Sequence, residues 1–176
     1  RLDDPVINYC PELKSLAYPT ADSAPITLRD LLTMGAGWPQ DDPWADRQVY
    51  LDDAAMSAIY QKGVTFSNAP GVAFEYSNLG YMALGRVITH VAGIPAIEYI
   101  NREILRPLGM NSTCWSADDV APEHLARGYQ WRADGWIYEP LLPSGGDVAG
   151  FAGIFSSVRD LARWVGLFQS AWPARD

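Results

Sequence analysis

Tyr76 and Asn78 stand two residues apart in the stretch Pro70-Gly71-Val72-Ala73-Phe74-Glu75-Tyr76-Ser77-Asn78-Leu79-Gly80-Tyr81. Pro70-Gly71 signals a turn. Ala73 to Tyr76 is short and aromatic, and reads as extended chain. Side chains at i and i+2 of an extended segment point the same way. A phenol and a carboxamide are therefore expected on one side, with Ser77 turned away. Ser77 or Asn78 is a good N-cap. Leu84, Val87, Ile88 and Val91 then recur at helical spacing and predict the buried face of a helix. A phenol beside a carboxamide at the start of a buried helix suits the handling of a polar reacting group. The bland alternative is a Tyr that packs and an Asn that only caps. This stretch alone leaves both open.

The elements that position this pair belong to a chain of 176 residues, enough for one domain with a core. A hydrophobic share of 48% predicts a globular chain rather than a disordered one. The formal net charge of −8, with 13 basic residues and no basic run, argues against nucleic acid as a partner. Lys14 and Lys62 are the only lysines. The two cysteines, Cys10 and Cys114, are read as free, buried thiols, with a disulfide as the alternative that nothing in their spacing demands. With His90 and His124 they have no metal-ligand spacing, so no metal and no cofactor is expected. No apolar run reaches transmembrane length. The opening Arg1-Leu2-Asp3-Asp4-Pro5 has no leader-like pattern and reads as the interior of something longer.

Five main helices are predicted, near residues 27–34, 52–62, 79–92, 95–106 and 157–169, with turns and a short helix before them. Thr27 with Asp30 makes an N-terminal box, with Leu28, Leu31 and Leu32 as the buried face. Gly35-Ala36-Gly37-Trp38-Pro39 stops that helix, and reads as a packed Trp or as a loop lining a pocket. Asp41, Asp42 and Asp46 around Trp44 read as a solvated acidic loop, since no Ca²⁺-loop spacing supports a metal. Asp52 and Asp53 suit the dipole at the start of the second helix. Gly93 ends the third, Pro95 opens the fourth, and Ile97, Ile100 and Ile104 form its stripe. Asp134-Gly135 among Tyr129, Trp131, Trp136 and Tyr138 predicts a hairpin near 125–139. Its aromatics read as cross-strand packing, with a sugar-binding strip as the alternative. Ser144 to Gly153 is a glycine-rich loop, expected to be flexible and without phosphate-loop spacing. Ser157 with Asp160 caps the last helix, with Val158, Leu161, Ala162 and Val165 as its buried face.

Taken in order, several stretches resemble the serine β-lactamase-like hydrolases: class C β-lactamases, DD-peptidases and related esterases and D-aminopeptidases. They are Leu2 to Val6 with Pro11-Glu12, Ile26 to Thr33, Pro70-Gly71 through Tyr76-Ser77-Asn78, Glu103-Ile104 with Pro107 to Met110, and Gly153 with Ser156 to Trp164. The resemblance makes Tyr76-Ser77-Asn78 the family's second active-site motif. It implies that Tyr76 is a proton shuttle whose phenol is acidified by nearby lysines. It also implies that Asn78 holds substrate, and that a serine forms an acyl-enzyme on an ester, amide or β-lactam. Trp38, Gln40 and Phe151 are taken as pocket-wall candidates.

The family's Ser-x-x-Lys is missing, because no serine here has a lysine three residues on. The third motif, Lys or His with Gly, is missing too. Both are expected outside residues 1–176. The fold expected is a mostly α segment with a small β-hairpin: the central helical domain of an α+β β-lactamase/transpeptidase-like fold, lacking its sheet domain. A non-catalytic relative acting as a binding or scaffolding module is the alternative. An α/β-hydrolase is set aside, because no Gly-x-Ser-x-Gly occurs.

Overall fold

The structure is a computed structural model and describes residues 1–41, 48–139 and 146–173. The expected Trp44, Asp42 and Asp46 loop and the Ser144-Gly145 start of the glycine-rich loop lie outside the described residues. Two short 3-10 turns, Val6–Asn8 and Pro11–Ser15, open the chain. The helices α1 (Leu28–Leu32), α2 (Asp53–Lys62), α3 (Asn78–Ala92), α4 (Ala96–Ile100) and α5 (Val158–Ser170) follow. A π-helical turn, Asn101–Leu105, extends α4. The strands β1 (Tyr129–Arg132) and β2 (Gly135–Tyr138) pair antiparallel. Helices and hairpin therefore form where capping and periodicity place them.

The caps explain the boundaries. Thr27 and Asp30 bond reciprocally, side chain to backbone, at 3.1 and 2.8 Å. Asp52 accepts from Ala55 N at 2.8 Å, and Ser157 from Asp160 N at 3.2 Å. Gly93 ends α3 at φ +68°, where a side chain would be strained.

One apolar core joins the N-terminal turns to α2 and α3, with Val6, Leu13, Ile26, Trp38, Met56, Tyr60 and Met82 at 0–1% exposure. Fully burying one such side chain is worth roughly 1.5–3 kcal/mol. The 3-10 turn Gly146–Gly150 lies against α3, with Asp147, Val148 and Ala149 buried. The described part of the glycine-rich loop is thus packed, contrary to its expected flexibility. Glycines on both elements allow contact that closely: a Cβ on Gly85 of α3 would meet Asp147 O at 2.2 Å, and one on Gly150 of the turn would meet Tyr81 O at 2.1 Å.

Three predicted faces need correction. In α3 the buried apolar residues are Leu79, Met82, Ala83 and Val87, with Leu84 partly buried beside them, so Val87 and Leu84 of the predicted face lie on the core side while Val91 is 63% exposed. The inward stripe is shifted from the predicted one, toward Leu79, Met82 and Ala83, because Tyr60 and the 146–150 turn pack along that side. In α1 only Leu31 is buried, and Leu32 is 43% exposed, because the helix is barely more than one turn long. In α5 the expected buried face is exposed, with Val158 at 85%, Leu161 at 50% and Val165 at 52%. Among the described residues nothing covers it.

The hairpin reverses through Ala133 and Asp134, since Gly135 pairs with Arg132. The ring pairs Tyr129–Tyr138 and Trp131–Trp136 pack edge to face at 5.7 and 5.4 Å, the cross-strand packing expected of them. Cys10 is a free, buried thiol, and Cys114 is free and half-buried.

Candidate active site

Residues 74–77 lie outside any helix or strand, with Ser77 extended at φ −135° and ψ 108°, and the chain then turns into α3. Glu75 N donates to Met34 O at 2.9 Å, and Ser77 N donates to Met34 Sδ at 3.2 Å. The loop after α1 is itself tied to the 67–71 segment by Ser67 N to Gly37 O, 2.9 Å, and Gly71 N to Gly35 O, 2.8 Å. Gly37, at φ +76°, has no room for a side chain, because a Cβ would meet Asn68 O at 2.2 Å. From the other side Tyr60 Oη donates to Leu79 O at 3.0 Å, and Tyr81 Oη to Leu32 O at 3.0 Å.

Ser77 is the N-cap of α3, and its hydroxyl accepts from Gly80 N at 3.2 Å. Asn78 is the first helical residue and is 5% exposed, whereas Tyr76 is 40% exposed. The two candidates are thus consecutive with the cap but unequally covered. The helix begins too early for the simple i, i+2 alternation of an extended strand to govern both.

Asp41 was expected in a solvated loop. It is instead half-buried and joins the start of α3. Its Oδ1 accepts from Asn78 N at 2.8 Å, and its Oδ2 accepts from Leu79 N at 2.8 Å and from the Ser77 hydroxyl at 3.2 Å. The N–H groups of Ser77, Asn78, Leu79 and Gly80, which a helix leaves unpaired, all have partners. The carboxylate also opposes the positive end of the helix dipole. Sequence reasoning missed it because 37 residues separate Asp41 from Asn78. The only local signal was an acid just after a Gly-Trp-Pro loop.

The other candidates are dispersed. Trp38 lies in the core at 1% exposure, 6.4 Å from the Tyr60 ring, and its indole N–H has no hydrogen-bond partner among the described residues. It lines a cavity of about 390 Å³ with Gln40, Asp41 and Leu79. Gln40 is exposed, and Phe151 is half-buried against the core just after the 146–150 turn.

A polar network, also missed from sequence, pins that turn to α3. Arg86 donates to Glu12 and Ser57, and to Asp147 at 2.8 Å. Asp147 also accepts from Thr89 at 2.8 Å, and its backbone N–H donates to Asp53 at 3.0 Å. Burial pushes the Asp147 carboxyl above the ordinary carboxylate range despite its bonds from Arg86 and Thr89. Burial also works against ionised Glu12, but hydrogen bonds, including that from Arg86, hold it low. Burial raises the Cys10 thiol to about 12, which leaves it an inert apolar filler. No cluster of His, Cys, Asp and Glu able to hold a metal occurs among the described residues.

Known proteins resemble this chain in sequence and in fold. The chain is 26% identical over 174 residues to the D-alanyl-D-alanine-carboxypeptidase/endopeptidase AmpH of Escherichia coli, covering 97% of this chain and 43% of that protein. It is 28% identical over 151 residues to an unguisins hydrolase of Aspergillus campestris, covering 81% of this chain and 28% of that protein. The octameric penicillin-binding protein homologue of Pyrococcus abyssi superposes with a TM-score of 0.72 at 28% identity, covering 98% of this chain and 40% of that one. The chain therefore spans less than half the length of these relatives. The beta-lactamase family model matches residues 1–175, nearly the whole chain, and the chain belongs to that family.

Proposed function

We propose that this chain is the central, mainly helical domain of a serine hydrolase that acts on a small ester, amide or β-lactam through an acyl-enzyme. The observation that carries the reading is the family match over residues 1–175 joined to Tyr76-Ser77-Asn78 at the braced start of α3. Tyr76 is the proton shuttle of this mechanism and Asn78 a substrate-positioning group. A general base must reach the proton that it removes, and an exposed phenol can do so. Trp38, Gln40 and Phe151 belong to the pocket walls, with Trp38 acting from beneath. The nucleophile and its lysine come from the remainder of the polypeptide, together with the sheet domain.

Two features support a missing partner domain. The chain covers 40% of a superposable family structure. The apolar face of α5, with Val158, Leu161, Val165 and Phe168 all at least 50% exposed, is larger than scattered surface residues would make. No helix among the described residues is long and apolar enough to cross a membrane.

The test is turnover by the full-length protein of a chromogenic cephalosporin, nitrophenyl esters and a peptide ending in D-Ala-D-Ala. Saturable hydrolysis of one of them is expected, lost when the serine of the upstream Ser-x-x-Lys is replaced by alanine. Absence of turnover of all three would favour the alternative, a non-catalytic relative that binds or scaffolds.

A further inference from the structure

We propose that Asp41 is a positioning residue that holds the Tyr76-Ser77-Asn78 segment in its working geometry. The inference rests on the reading of Tyr76 and Asn78 as catalytic and goes beyond it. Asp41 touches neither side chain's reacting atom through any bond described above. It grips the backbone between and after them: Asn78 N and Leu79 N at 2.8 Å each, with the Ser77 hydroxyl at 3.2 Å. Both carboxylate oxygens are used, which fixes rotation as well as distance.

The bonds have a second consequence. A free helix start presents N–H groups to an anion. Here the first N–H groups of α3 already bond protein groups, two of them to Asp41. The start of α3 is therefore closed to a substrate carboxylate or oxyanion, and Asn78 meets substrate through its side chain. The same aspartate belongs to the loop that carries Trp38 and Gln40, so it couples one wall of the pocket to the motif.

The experiment uses the full-length protein. Asp41→Asn keeps the size, removes the charge, and turns an NH₂ group toward a backbone N–H. With the fold intact by circular dichroism, amide exchange at Asn78 and Leu79 should accelerate at least tenfold relative to other α3 amides. A misplaced catalytic group costs up to about a hundredfold, so kcat/KM should fall by roughly ten- to a hundredfold, chiefly in kcat. Asp41→Glu should restore part of the rate. In a double-mutant cycle with Tyr76→Phe the two losses should be far less than multiplicative, because both remove the same function.

Fully multiplicative losses would overturn the proposal, as would an Asp41→Asn enzyme with normal rate and normal exchange beside an impaired Tyr76→Phe. A Tyr76→Phe enzyme at full rate would instead overturn the catalytic reading, and the positioning role with it. Failure of both Asp41 variants to fold would assign the residue to stability alone and overturn the proposal.

Discussion

At the residue scale the reading turns on one hydroxyl. Tyr76→Phe keeps the ring and removes the proton. General acid–base catalysis is worth about 10²–10⁴-fold, so kcat/KM of the full-length enzyme should fall by that much. Its melting temperature should hardly move, because an exposed phenol contributes little to packing. Asn78→Ala should weaken substrate binding and also destabilise, because Asn78 is nearly buried in the first turn of α3. Steady-state kinetics and melting curves on both variants check this. The motif was legible because Tyr, Asn and a capping Ser sit within three consecutive positions, where local rules operate. Asp41 and the Arg86–Asp147 pair were not, since 37 and 61 residues separate the partners. Nothing in a run of Asp residues tells which one folds back on a helix.

Elements were legible where local chemistry decides them. Thr27, Asp52 and Ser157 cap where hydroxyl or carboxylate precedes an apolar period, and Gly93 stops α3 where only glycine is unstrained. Faces were less legible, because periodicity gives a stripe but not the neighbour. In α3 the neighbour is the 146–150 turn, at near backbone-to-backbone distance. Gly85→Ala and Gly150→Ala should each cost about 1–3 kcal/mol by overpacking, read from urea unfolding. Gly166→Ala in α5 meets nothing within 4 Å and should instead stabilise by about 0.5–1 kcal/mol. Arg86→Met would remove the one cation that pairs buried Asp147 and Glu12 among the described residues, and should cost roughly 3–5 kcal/mol.

The anchor of α5 carries a pH dependence. Burial opposes ionised Asp160, but bonds from Thr113, Ser112 and Arg163 outweigh it and hold the carboxyl below its usual range. A carboxyl more acidic folded than unfolded stabilises above its unfolded value, about 3.9. That contribution disappears as pH falls through the folded value. The melting-temperature advantage of wild type over Asp160→Asn should therefore be full at pH 6 and shrink below about 4. An advantage that grew on acidification would contradict this assignment.

At the scale of the whole molecule, the helical layer is braced within itself around α3, while α5 turns apolar side chains outward. That asymmetry fits a domain that works against another part of the same polypeptide. On the proposed reading, the pattern of α5 suits burial against the partner domain, although its face is exposed among the described residues. The most direct measurement is mass-spectrometric mapping of the acyl group left by a labelled penicillin or an activated ester on the full-length protein. One acyl group per molecule is expected, on a serine outside residues 1–176 and three residues before a lysine. This chain alone should take up none. Stoichiometric acylation of any serine within residues 1–176 would contradict the assignment of the nucleophile and of the role of the chain.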